Sequence, residues 1–283
     1  KEKMIMKSFE WNRFHKMLLW TFENTKGNLL RMGIIMTIAF FLCTLSLAVT
    51  GSTVPDELPK QLIAILMGMA MAFSVSGFMV GFTCLYFGAS TMFANTRHKK
   101  QAISFLMHPA SNLEKYLSRW TYVTIGWPVV LIVSFFAADY FRVLFNMLMG
   151  WDATTSFISM WCDDSVFGGG NLMKFISYMS PSRIMAGIIL MLAIMWTHSF
   201  YILGSAFFRR HPFILTSLVL MAIQICLAVA GHGIDNYDID VSLTIIDRCT
   251  IIAMELALIA LNYWASYRLF KRTNVINNKW INI

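Results

Sequence analysis

Six apolar stretches, each long enough to cross a bilayer and the second longer than one crossing needs, dominate this chain of 283 residues. They run over 33–54, from 61 to about 93, and over 120–141, 183–208, 213–230 and 241–267. A helix needs roughly 20 apolar residues to cross the hydrocarbon core. Helices are the economical way to cross it, because backbone polar groups in lipid must be satisfied within the segment. Composition supports this reading: 57% of the residues are hydrophobic and only 13% are charged. A soluble domain carries roughly a quarter charged residues, so this chain cannot cover an ordinary globular surface. A disordered chain, a secreted mini-protein and a soluble enzyme on a single anchor are all excluded. The expected fold is all-α, a polytopic membrane protein of six spans.

The scarce charges orient it. The chain carries a net charge of +8, and 18 of its 23 basic residues fall in the termini and in the gaps after spans two and four. The opposite side holds Lys60, Arg142, Lys174 and Arg183 with many acids, among them Asp56, Asp152, Asp163 and Asp235. Basic loops stay on the cytoplasmic side. Both termini are therefore expected in the cytoplasm, with the chain multi-pass in the cytoplasmic (inner) membrane. The positive balance reads as orientation and a docking surface; membrane lipids are expected partners and nucleic acid is not. The domain reading is a cytoplasmic amphipathic segment over 1–32, a membrane domain over 33–267 and a cytoplasmic tail over 268–283.

Trp11, Phe14, Leu18 and Phe22 recur at helical spacing, with Glu10, Asn12, Arg13 and Lys16 elsewhere. That is the pattern of a helix lying in the membrane interface. The most informative connection spans 94–119, between spans two and three. It reads as a short helix with bases at its start and Ile103, Phe105, Leu106 and Met107 near its end, then a break at Pro109. Ser111 and Glu114 have capping-box spacing, so a second helix should begin at Ser111. Leu113, Tyr116, Leu117 and Trp120 would then share a face. An apolar knob flanked by positive charge suggests a protein partner.

On these residues the chain resembles the permeases of ABC transporters of the exporter kind, which move antibiotics, lipids and polysaccharides. That family has six spans, cytoplasmic termini, an amphipathic helix before span one and a coupling helix between spans two and three. Its local pattern of an apolar turn, Pro-x-Ser, an acid and a base is matched by Phe105-Leu106, Pro109, Ser111, Glu114 and Lys115. The resemblance implies a permease subunit, a homodimer or a heterodimer with a second permease. A separate ABC ATPase would dock on Lys99, Lys100, Ile103, Phe105, Leu106, Met107, Pro109 and Glu114. The long outer connection differs from the family: here it is 142–180, between spans three and four, instead of between five and six.

The chain has no GxxxxGK[ST] phosphate loop, so it is not the nucleotide-hydrolysing subunit. It has no HExxH and no cysteine–histidine run with zinc spacing. No enzymatic activity, metal or cofactor is expected. Gly168-Gly169-Gly170 reads as a turn. Trp151, Asp152, Trp161, Asp163 and Asp164 of the outer loop read as interfacial aromatics with solvated acids, and a Cys162–Cys249 disulfide is open.

Inside the spans, His198, Gln224 and Glu255 stand at comparable depths and form an intramembrane polar cluster by count. Ionisable residues at such depth carry a functional hypothesis, here a proton-coupled carrier using Glu255 and His198. Interhelical hydrogen bonding is the structural alternative. A non-transporting scaffold or sensor subunit is a further reading. Gly68, Ala72 and Ser76, with Gly77 and Gly81, should allow a close neighbour along span two, and Pro128 should distort span three.

Overall fold

The structure, a computed structural model, describes residues 9–53, 60–94, 99–151, 156, 181–232 and 244–272. Its regular elements are helical: α1 (Trp11–Thr53), α2 (Lys60–Ser90), α3 (Lys99–Met107), α4 (Asn112–Thr121), a π-helical turn (Tyr122–Gly126), α5 (Trp127–Met149), α6 (Pro181–Phe207), α7 (Pro212–His232) and α8 (Ile245–Arg272). Among the described residues, five helical stretches are long and apolar enough to cross a membrane: Trp11–Ser46, Gln61–Ser90, Asn112–Met149, Ile184–Phe207 and Pro212–Val229. The sixth expected span coincides with α8, which is not one of these five. It carries Asp247, Arg248, Glu255 and Asn262 along its length.

Two boundaries differ from the sequence reading. The amphipathic N-terminal stretch is not a helix of its own: α1 runs unbroken for 43 residues from Trp11 into the first apolar stretch. No proline interrupts it, and the Glu23–Lys26 pair one turn apart bridges the polar join. At 1.5 Å per residue such a helix is about 65 Å long, well beyond a bilayer's hydrocarbon core. The second difference is at the start of the outer connection. Arg142 is helical, because α5 continues to Met149. Within α5, Arg142 Nη2 donates to Asp139 Oδ1 at 2.7 Å, and both side chains are buried. Their opposite charges offset each other one turn apart. Gly150 then ends the helix at φ 69°, a left-handed cap that favours glycine.

Pro128 has the expected local consequence. It cannot donate to a carbonyl four residues back, and its ring crowds that carbonyl. The backbone widens into the π-turn at Tyr122–Gly126 immediately before it, and the helix resumes at Trp127.

The described chain forms two compact units. One draws on residues 22–85 and 125–179. Here α1 meets α2 and α5 through small residues. The Ser134 hydroxyl of α5 donates to the Gly33 carbonyl at 3.1 Å. A methyl group at Gly81 would stand 2.6 Å from the Phe40 ring, and one at Gly77 would strike Cys43. Gly68 has open space around it, and Ala72 and Ser76 are exposed. Of the two small-residue rows read from the sequence, the Gly77/Gly81 pair makes the close approach, and its partner is within the chain. On the other side, α1 and α5 border an apolar groove of about 940 Å³ with Lys26 at one end.

The other unit draws on residues 1–21, 86–124 and 180–283. Its α6 packs along both α7 and α8. Asn262 of α8 donates to Ser199 of α6 at 2.9 Å in a buried bond. Tyr201 and Ser217 share a 2.7 Å bond between α6 and α7. A methyl at Gly204 would collide with the buried Thr216, so glycine sets how closely α6 and α7 approach. Thr244 and Asp247 cap α8: Asp247 Oδ2 accepts from the Thr244 N–H at 2.9 Å, and the Asp247 N–H donates to Thr244 Oγ1 at 3.3 Å. Asp247 thus serves the helix start.

Candidate functional site

The distinctive part of the second unit is the short helix α3, its turn, and the elements that seat it. α3 ends at Met107 because Pro109 has no N–H to continue the ladder. The Ala110 N–H instead donates to the His108 carbonyl at 2.8 Å. Ser111 then caps α4 with φ −68° and ψ 157°. Its hydroxyl accepts from the Glu114 N–H at 3.2 Å, and Glu114 Oε2 accepts from the Ser111 N–H at 2.7 Å. This is the capping box read from the sequence.

The rest of Glu114's role was not legible there. Its side chain is 0% exposed, and its Oε1 accepts from the Glu10 N–H at 2.8 Å and from Arg13 Nη2 at 3.1 Å. Glu10 precedes the first turn of α1, and its carbonyl accepts from the Phe14 N–H at 3.0 Å. One buried carboxylate therefore serves the starts of two helices more than 100 residues apart. Each helix start presents unsatisfied N–H groups and the positive end of its dipole, both of which favour an anion. Arg13 completes the cluster by reaching Glu10 at 3.1 Å with its other terminal nitrogen.

Beside this cluster lies an aromatic seat. The Phe105 side chain is buried, with its ring 6.2 Å from both Trp20 and Phe270. Arg119 lies across Phe105 at 5.1 Å and Trp20 at 5.7 Å, a guanidinium between two ring faces. Phe270 stacks on Phe93 at 5.3 Å, and Tyr116 holds Ser266 through a 2.6 Å hydroxyl bond. The buried face of α4 is Glu114, Lys115, Tyr116, Ser118 and Arg119; of the apolar row Leu113, Tyr116, Leu117 and Trp120, only Tyr116 is buried. The reason is that Arg13 of α1 meets Glu114, the Phe105 ring of α3 meets Arg119, and Ser266 and Phe270 of α8 cover Tyr116.

The expected docking set therefore divides. Phe105 and Glu114 point inward and hold the element in place. Ile103, Met107 and Pro109 are exposed, Met107 at 78%. Lys99, Lys100 and Leu106 belong to α3, and their side chains lie outside what the structure describes.

The intramembrane set is not brought together. His198 is buried, and its ring bonds the Val123 backbone in the π-turn, while Nε2 has no partner. Gln224 is exposed, and Glu255 is half-buried with Oε2 unpartnered. Among the described residues, no hydrogen bond or ion pair joins the three. Depth counted along the chain aligns them, but the Asn262–Ser199 bond sets the register of α6 against α8 and puts His198 beside the level of Asn262, roughly 10 Å along the helix from Glu255. The interhelical bond at this level is Asn262–Ser199, which the sequence reading missed. A lone amide in the apolar run of α8 was the available signal. No group of three or more potential metal ligands occurs among the described residues. Trp161, Cys162, Asp163, Asp164, Gly168–Gly170, Arg97 and the tail after Arg272 lie outside the described residues, so the Cys162–Cys249 pairing does too.

No family model, curated protein or solved structure matches the chain.

Proposed function

We propose that this chain is the membrane-spanning permease subunit of an ABC exporter-like transporter, with α3 as the seat of a separate ATPase subunit. One observation carries the proposal. In the connection between the second and third apolar helices, α3 is fixed at its root by Phe105 while Ile103 and Met107 stay outside. A free apolar tip on a fixed root is what a docking element requires: the partner gains buried area without first ordering the helix. In this reading α8 is the sixth span, both termini are cytoplasmic in the inner membrane, and the permease pairs with a second copy or a second permease. ATPase closure pressing on α3 would pass into α1, α4 and α8 through Trp20, Arg119 and Phe270.

Photocrosslinking in the native membrane tests it. A photoreactive residue at Met107 is expected to capture a protein carrying a nucleotide-binding phosphate loop. The same probe at Leu30, an exposed apolar position on α1, is expected not to. Ile103→Asp in the chain that carries the probe should abolish the crosslinked ATPase while leaving the amount of permease in the membrane unchanged. Crosslinks at 107 that never include such a protein would refute the docking role and leave a non-transporting membrane subunit as the better reading.

A further inference from the structure

The apolar helices of the second unit leave two polar side chains unanswered. Gln224 is exposed on α7, and Glu255 is half-buried on α8 with Oε2 unpartnered. Among the described residues, neither makes a hydrogen bond or an ion pair. By contrast, Ser217, Asn262 and Ser266 of the same two helices each bond a neighbouring helix. Gln224 stands 12 residues from the start of α7 and 8 from its end, about 18 and 12 Å along the axis. Glu255 stands 10 residues from the start of α8 and 17 from its end. Neither side chain is long enough to reach an aqueous end of its helix. Acyl chains offer no hydrogen bond, so an amide and a carboxyl left facing them are costly.

Helix packing fixes the depth of both groups. α7 runs back along α6, where a methyl at Gly204 would meet Thr216 and where Tyr201 bonds Ser217. Continuing that register places Gln224 beside residues 194–196 of α6. With α7 crossing between them, α6 and α8 run in the same direction, and the Asn262–Ser199 bond places Glu255 beside residue 192. The two groups therefore lie within about 3–6 Å of a common depth. There is room for a neighbour: every residue from Gln224 to Val229 is exposed, as are Leu256, Ala257 and Leu258 of α8.

We propose that this side of the membrane domain joins two copies of the chain, Gln224 of each copy bonding Glu255 of the other. A two-fold axis along the membrane normal keeps every residue at its own depth, so only groups at a shared depth can pair across it. In such an interface, if one residue meets another the reverse contact forms as well. A single kind of contact thus satisfies both unanswered groups in both copies. The amide N–H donates to the carboxyl whether or not the carboxyl carries a proton, and polar bonds of this kind hold helices together in lipid. The inference rests on the proposed function only for the pairing of two membrane subunits, from which it selects a second copy; no ATPase is required.

The test uses the full chain in liposomes. For crosslinking, its five cysteines are replaced by alanine, and a Gln224→Cys copy and a Glu255→Cys copy with different tags are co-expressed and oxidised. A disulfide-linked pair bearing both tags is expected, at a yield that neither variant reaches alone. A chain carrying both substitutions should give linked dimers, not an internal bridge. Dimer affinity is then read by dilution in the bilayer. Gln224→Leu or Glu255→Leu should weaken it roughly tenfold to a hundredfold, for two interhelical bonds per dimer. The double leucine variant should be no weaker than either alone, because each removes the same bonds. Exchanging the pair, Gln224→Glu with Glu255→Gln, should restore affinity, which a role in the fold of one copy would not do. Leucine at 224 faces lipid, so that variant is expected to keep the wild-type elution volume. A chain that stays monomeric, an internal bridge in place of the linked dimer, or unchanged affinity with both leucines would each overturn the inference. Unchanged affinity would leave the pairing of the proposed function standing, and absence of an ATPase crosslink at Met107 would count against that function without touching this interface.

Discussion

Replacing Glu114 with alanine is expected to loosen the starts of two helices at once. The substitution removes the acceptor for the Ser111 N–H at 2.7 Å, for the Glu10 N–H at 2.8 Å and for Arg13 at 3.1 Å. Losing a helix cap costs about 1 kcal/mol, and a stranded donor costs roughly 1–3 kcal/mol. Ser111 and Glu10 lie near the surface, so water replaces part of what is lost and the low end applies. Arg13 keeps Glu10, which limits its share to about 1 kcal/mol. The total is about 3 kcal/mol, or about a hundredfold faster amide exchange in the first turns of both α1 and α4. Glu114→Gln keeps the size and one carbonyl acceptor, so it should fall between. A double-mutant cycle with Arg13→Ala should show a coupling of about 1 kcal/mol. Hydrogen exchange read by mass spectrometry on the detergent-purified chain supplies both numbers. If Glu114→Ala speeds exchange in α4 alone, or if the two substitutions are additive, the carboxylate does not join the two helices and the reasoning fails.

Other substitutions probe the packing. Gly204→Ala should lower the melting temperature through a clash with Thr216, at roughly 1–3 kcal/mol, and Thr216→Ala in the same chain should restore much of it. Gly77→Ala should destabilise similarly by pressing on Cys43, whereas Gly68→Ala should be neutral or slightly stabilising, because nothing stands within 4 Å of that position. Arg119→Leu should free α3 and raise exchange over 99–107, since it removes the cation from two ring faces at roughly 0.5–2 kcal/mol each. Unchanged exchange there would show that Phe105 alone seats the helix.

What the sequence made legible was local. The Ser111–Glu114 box, the break at Pro109, the distortion before Pro128 and the apolar helices follow from neighbours a few residues apart. The second use of Glu114 depends on Glu10 and Arg13, which no spacing rule connects to residue 114. Phe105 was placed with the exposed knob because its apolar run looks uniform. Its inward turn is decided by Trp20 and Phe270, one from each end of the chain. The two glycine rows of α2 look alike in sequence, and only the position of α1 separates Gly77 and Gly81 from Gly68. His198, Gln224 and Glu255 were aligned by counting from the ends of apolar stretches, and the register of α6 against α8, set by the Asn262–Ser199 bond, differs from that count.

The seat of α3 also fixes a moment in the life of the chain. Phe105 packs against Trp20, made early, and against Phe270, near the end of the last described helix. While the chain is being synthesised, α3 has emerged long before half of its seat exists, and the Phe270 side of Phe105 stays uncovered until α8 follows. Contacts this far apart in sequence form late. A chain truncated before α8 would therefore leave Phe105 covered on the Trp20 side alone, a mark by which a chaperone or protease can tell an unfinished copy from a finished one.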